Sequence, residues 1–345
     1  MNPITRMIIT LFHRQKLRSK ICGILMVMLC LIRTSSSFIP AHRQVKLSKY
    51  IRIKDGPHEF SKYATSTDIA VDLKHTEYTK DPVESSGMHP HEHSPVIFIH
   101  GLLGSKRNFA YICTSLSRQL KKRRRIISID LRNHGDNIHD WRDTMTYHEM
   151  AQDVLHFINN MGFDTVTLVG HSMGGKVAKT LALTHPDRIS GLVVLDIAPV
   201  YYDSTKDVTW NGVHKLITSL NDIQLKHHPS KKDVDVTLRS IIDDPALRAF
   251  VLTNLSSDVQ WKINMSTIHN QLSILADFPS ISTQYQGDTF FIHGGSSRFI
   301  RSVHMESIRQ YFPNHMLTTI RGAGHWVHAD APDDTIALLE KYLDR

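Results

Sequence analysis

The chain has 345 residues, 41% of them hydrophobic, which is enough to bury a large core and excludes a disordered composition. Its formal charge of +8 is misleading: residues 1–54 hold 11 Lys and Arg and no acid, so the remaining 30 basic residues face all 33 acids. The body is therefore slightly acidic, which excludes a basic groove for nucleic acid.

Residues 1–54 have the make-up of a targeting leader. The run Ile21–Ile32 is apolar apart from one Gly and spans about 12 residues, too short to cross a bilayer but suited to a signal-peptide core. Before it, Ile4, Ile8, Leu11 and Phe12 share one helical face, with Arg6, Arg14, Lys16 and Arg18 mostly elsewhere. An amphipathic, Arg-rich, acid-free leader is equally the signature of mitochondrial import. Both destinations stay open on the residues alone. Cys22 and Cys30 fall in this leader, which leaves Cys113 alone in the body and no internal disulfide to form.

Residues 55–345 are expected to form one domain. Val71–Thr79 alternates enough for an early strand, and Lys80–Pro95 reads as a loop. That loop contains histidines at 89, 91 and 93; such tracts can bind metal, but flexible linkers also collect histidines, and no metal site is expected. Short apolar runs then recur at Val96–Ile99, Ile126–Asp130, Thr165–Val169, Leu192–Leu195, Thr289–Ile292 and Met316–Ile320. Helical stretches fit between and after them, at Asn108–Leu120, Thr146–Met161, Gly174–Thr184 and Thr335–Leu343. This alternation predicts an α/β fold, a mostly parallel sheet with helices on both faces. Functional residues of such sheets gather at the carboxyl ends of the strands. The basic run Lys121–Arg125 is expected to be a solvated helix end. From about 201 to 281 the pattern breaks into helical sequence with no clear buried strand, which suggests a helical cap inserted over the strand ends.

The run TVTLV ends in Gly170-His-Ser172-Met-Gly174 and leads into the helix KVAKTLALTH. A serine hydroxyl is a poor nucleophile unless it is exposed and held beside a base. A sharp strand-to-helix turn exposes it, and glycines two residues to either side permit that turn; this is the nucleophile elbow of the α/β-hydrolase fold. Ser172 is the expected nucleophile, and its neighbour His171 is expected to position or pack rather than to act as base. The order in this fold is Ser, acid, His. Gly322-Ala-Gly-His325-Trp, after the last strand, supplies His325 as base, with His328 as a structural neighbour. The acid usually follows the Thr289–Ile292 strand, but the loop His293-Gly-Gly-Ser-Ser-Arg-Phe holds no carboxylate. The preceding strand ends in Asp196, which is the expected acid. The oxyanion hole is expected from the backbone N–H groups of Leu102 and Met173. No cofactor motif is present. Dehalogenases and epoxide hydrolases of this fold need an aspartate where Ser172 stands.

The segments IFIHGLLGSKRNF, IDLRNHGD, VGHSMGGK, VVLDIAPV and AGHWVHAD resemble, in order and spacing, the alpha/beta hydrolase domain-containing protein 11 family and its short bacterial esterase relatives. The resemblance runs from about Val96 to the C-terminus and includes TNL and WKIN in the cap. It implies a serine hydrolase that cleaves a small acyl ester or lipid through an acyl-serine intermediate, needing no cofactor or metal. An acyl-thioesterase, or a slow or non-hydrolytic binding protein on the same fold, is the alternative. The resemblance also implies a mitochondrial matrix location, which favours import over the secretory pathway, and no membrane span in the body; protein partners are not implied. Bacterial relatives use the aspartate that matches Asp196. Animal members are sometimes assigned an aspartate after the W-x-x-N segment, where this chain has Ser266.

Overall fold

The computed structural model describes residues 70–79 and 93–345. Residues 1–54, where a leader is expected, and the histidines at 89 and 91 lie outside the described residues.

In chain order the elements are β1 (His75–Glu77), β2 (Val96–Ile99), α1 (Ala110–Gln119), β3 (Ile126–Ile129), α2 (Tyr147–Asn160), β4 (Val166–His171), α3 (Met173–Thr184) and β5 (Ile189–Leu195). Five helices follow without a strand: α4 (Val208–Asn221), α5 (Lys231–Leu238), α6 (Pro245–Leu252), α7 (Met265–Asn270) and α8 (Leu272–Ala276). The chain then returns to the sheet with β6 (Thr289–Gly294), α9 (Met305–Tyr311), β7 (His315–Ile320), α10 (Val327–Asp330) and α11 (Pro332–Leu343). The sheet order is β1-β3-β2-β4-β5-β6-β7, and every pair is parallel except β1 with β3.

The apolar runs are continuous because the central strands are covered on both faces. Alternate residues divide between two cores, as the two-residue strand period requires. Ile97, Ile99, Leu168 and Val194 face one core, which α2 and α3 close with Met150, Val154, Val177 and Leu181. Val96, Phe98, Val169 and Val193 face the other, closed by Ile112 and Leu116 of α1 and Leu339 and Leu343 of α11. Cys113 is buried in this second core. A capping box starts α2: the Thr146 side chain accepts from the Glu149 N–H, and the Glu149 carboxylate accepts from the Thr146 N–H. Buried Arg132, just after β3, then anchors to α2 by donating from Nε and Nη2 to the two oxygens of Asp153 at 2.6 and 2.8 Å.

The basic run departs from its expectation. Helix α1 stops at Gln119, and only Lys121 and Arg123 of the run are exposed. Arg124 donates to the carbonyl of Leu343 at 2.7 Å, and Arg125 grips Glu77 with two bonds of 2.7 Å while lying over the Phe163 ring. The face of the Arg125 guanidinium packs on the ring while its N–H edge bonds Glu77, and the run ties β1 and α11 to the sheet.

Between β5 and β6, strand-like pairing is confined to an isolated bridge from Leu255 to Trp261. Local signals hold the helices of this stretch. Asp207, Ser230, Asp244 and Asn264 each cap a helix by accepting a backbone N–H of its first turn.

Candidate active site

Three strand ends converge on one point. Ser172 sits between β4 and α3 with φ 52° and ψ −118°, a conformation that costs a non-glycine residue energy and persists only where the surroundings impose it. The imposition is visible: a side chain on Gly170 would collide with the backbone of Gly174, and one on Gly174 would collide with the carbonyls of Ile99 and His100. Only bare backbone allows β2, β4 and α3 to pack this closely. The Ser172 N–H donates to the Leu195 carbonyl at 3.1 Å, which fixes the elbow to the end of β5.

His325 lies on the loop between β7 and α10. Its Nε2 is 3.0 Å from Ser172 Oγ, and its Nδ1 is 2.8 Å from Asp196 Oδ2. With the carboxylate accepting from Nδ1–H, the Nε2 lone pair faces the serine hydroxyl, which donates to it. The ring stacks on Phe299 at 3.9 Å between centroids, and His171 Nε2 donates to the His325 carbonyl at 2.9 Å. Both contacts hold the imidazole plane.

Asp196 follows β5 directly, has φ 54°, and is fully buried. Besides His325 it accepts from His293 Nδ1 at 2.8 Å, from the Gly294 N–H at 3.0 Å and from the Ser297 hydroxyl. Burial alone would raise its carboxyl pKa. The hydrogen bonds from His293, His325 and Ser297 outweigh burial and hold it below the usual carboxylate range. The end of β6 supplies the His293 side chain and the Gly294 N–H, and the loop after it, which carries no acid of its own, supplies Ser297; together they brace Asp196. His293 and Ser297 were not anticipated from sequence; their signal is two polar side chains at the end of β6 and just after it, where this fold usually keeps its carboxylate.

His171 and His328 are buried beside the site. Burial, and then the neighbouring His328 and His325, push His171 well below the usual imidazole range. Burial and His325 push His328 down to about 3. His328 packs on Phe109 and His171, while His325 meets Ser172. Ser266 bonds to Asn264, the cap of α7.

Met173 is the first residue of α3, so its N–H has no partner within the helix. Leu102 lies on the loop after β2, where the next N–H, that of Leu103, is already taken by His134 Nε2 at 3.2 Å. Leu102 and Met173 line one pocket with Ser172 and His325, and Trp210, Val213, Leu216 and Ile217 of α4 supply much of its apolar wall. Also unforeseen are two buried lysines of α3. Lys176 Nζ donates to the carbonyls of Ala276 and Asp277 at 2.8 and 2.6 Å, and Lys179 Nζ to that of Ile197 at 2.9 Å. Burial drives both well below the usual lysine range. Among the described residues no group of three His, Cys, Asp or Glu could hold a metal ion, and no helix is long and apolar enough to cross a membrane.

The chain matches the alpha/beta hydrolase fold family over residues 94–230. It is 36% identical over 259 residues to the sn-1-specific diacylglycerol lipase ABHD11 of Mus musculus, covering 72% of this chain and 80% of the relative. It is 30% identical over 254 residues to esterase YbfF of Escherichia coli, covering 74% of this chain and 94% of the relative. Among solved structures, a marine microorganism esterase superposes with a TM-score of 0.71 at 32% identity, covering 79% of this chain and all of that one.

Proposed function

The chain belongs to the alpha/beta hydrolase fold family, in the group that holds the ABHD11 lipases and short bacterial esterases, and from that premise we propose that it cleaves acyl esters of lipid character through an acyl intermediate on Ser172. The observation that carries this reading is the continuous bond path from Ser172 Oγ through His325 to Asp196. The chemistry runs in two halves. Ser172 Oγ attacks the ester carbonyl as its proton passes to His325 Nε2. The oxyanion takes the N–H groups of Leu102 and Met173, which are fixed before the charge develops. His325 returns the proton to the departing alcohol oxygen. Water then attacks the acyl-serine with His325 again as base, releasing the carboxylic acid and restoring Ser172. Asp196 stays ionised throughout, orienting the ring and stabilising the imidazolium. Residues 201–281 act as the cap whose apolar wall receives the acyl chain. The mouse relative's description as a diacylglycerol lipase supports a neutral glyceride as the substrate class.

We also propose delivery to the mitochondrial matrix by residues 1–54, on the strength of their 11 basic residues and lack of acids. Hydrolysis of p-nitrophenyl butyrate tests the enzyme reading. Ser172→Ala should lower turnover on the order of 10⁶-fold; a variant that keeps its rate overturns it. A fusion of residues 1–54 to a fluorescent protein tests delivery, with reticular instead of mitochondrial staining as the contrary result.

A further inference from the structure

Two compartments meet at the loop after β2. The first contains Ser172 and His325 and runs past α4 to buried Lys176. The second, of about 250 Å³, contains neither; it lies between that loop, α6 and α10. Leu102, His171, Leu247, Phe250 and Trp326 border both. Phe250 and Trp326 meet edge to face with centroids 6.4 Å apart on the border between the compartments. Each compartment has its own exposed lip. Val208 and Arg298 flank the first mouth, and Ala246 and Ala329 the second.

The geometry of acyl transfer assigns the two spaces. In the tetrahedral adduct on Ser172 the former carbonyl oxygen faces the Leu102 and Met173 N–H groups. The leaving oxygen faces His325 Nε2, which must protonate it. The acyl chain takes the remaining direction. The Trp326 ring stands against His325 with centroids 5.6 Å apart and borders both compartments, so the direction along Trp326 leads the alcohol arm from His325 toward the second compartment.

Its lining has no Lys, Arg, Asp or Glu. The titratable groups that face it are three imidazoles, those of His100, His171 and His328, and burial keeps each below its usual range and therefore neutral at pH 7. A charged head group would shed its water there without an ionic partner, a cost that an uncharged group avoids.

Building on the hydrolase reading above, we infer that the second compartment binds the alcohol part of the ester, selects uncharged alcohols, and releases the product between Ala246 and Ala329 while the acyl group stays on Ser172. Substrate entry and acyl retention thereby use one mouth and alcohol release another.

Esters that vary one arm at a time test this on the full chain. The kcat/KM of an ester reports the steps through acylation, while the alcohol is still attached. Ala246→Trp places an indole at the second mouth. It should lower the kcat/KM ratio of 1-naphthyl butyrate to methyl butyrate by about tenfold, the scale of a lost pocket contact. The ratio of methyl octanoate to methyl butyrate should shift by less than about twofold. The unmodified chain should favour 1-naphthyl butyrate over butyrylcholine by at least about tenfold. A shift in the octanoate ratio instead would assign the compartment to the acyl chain. Unchanged ratios, or a preference for the choline ester, would equally overturn the inference. Labelling of Ser172 by a fluorophosphonate, whose fluoride leaving group needs no compartment, reports whether the variant is folded. Should Ala246→Trp fail to label, Ala329→Trp on the opposite lip carries the same test. Failure of the unmodified chain to label would instead sink the hydrolase reading itself.

Discussion

The carboxyl edge of the sheet and the helical stretch from 201 to 281 are built by opposite means. At the edge, two of the three polar residues of the bond path, Ser172 and Asp196, have positive φ, and glycine contacts leave the backbone no alternative. Each carboxylate oxygen of Asp196 accepts two hydrogen bonds, two of the four from the neighbouring strand. The helical stretch holds itself together with ordinary side-chain caps and presents apolar side chains to the pocket. The edge spends conformational strain to fix atoms to within a hydrogen bond, which acyl transfer needs. The stretch needs only shape and hydrophobicity, so many sequences would serve it. On the proposed function, reaction chemistry falls to the first region, while the second shares the walls of the pockets with edge residues such as Leu102 and Trp326.

Substitutions at the edge should therefore have catalytic effects that scale with distance from the reacting atoms. Asp196→Asn leaves the volume unchanged but offers His325 an amide, which favours the wrong tautomer; kcat for p-nitrophenyl butyrate should fall about 10⁴-fold. If the variant retains near-full hydrolysis, the acid lies elsewhere. Ser297→Ala removes one brace from the same carboxylate and should cost roughly tenfold in kcat, the scale of one hydrogen bond to a charged group. A loss as large as that of Asp196→Asn would make Ser297 more than a brace.

The two regions should also differ in their response to acid. His100, His134, His171 and His328 cluster at the edge, and burial depresses all four, His134 and His328 to about 3. His214 and His227 of the helical stretch are exposed. A base whose folded pKa is depressed lends stability above its unfolded pKa and loses it as pH falls through that value. Each such histidine can cost up to about 1.4 kcal/mol per pH unit below roughly 6.5. The loss runs on toward pH 3, where His134 and His328 begin to protonate in the fold. The melting temperature should therefore drop by several degrees between pH 7.5 and pH 5.5. Equal melting temperatures would show that acid stress falls elsewhere.

Much of the edge was legible in the sequence because its signals are local. The continuous runs VIFI and VVL mark strands covered on both faces, and the elbow writes its steric demands into two glycines four residues apart. Asp196 could be reached by elimination, since the loop after β6 holds no carboxylate. What supports it could not: His293 and Ser297 are 97 and 101 residues away in sequence, and their meaning depends on how β6 lies against β5. Buried Lys176 and Lys179 were hidden for a similar reason. Lysines on a helix suggest an exposed face, and only the path of the chain after α8 and β5 brings carbonyls to their ammonium groups. The basic run 121–125 misled because its charges pack against strand and helix ends distant in sequence.

Peptide mass mapping after brief exposure of the whole chain to a fluorophosphonate tests the central claim most directly, because that reagent reacts with a serine only where a base and an oxyanion hole activate it. One adduct per chain is expected, on Ser172, and none in Ser172→Ala. An unlabelled chain, or an adduct on another residue that persists in the variant, would contradict it.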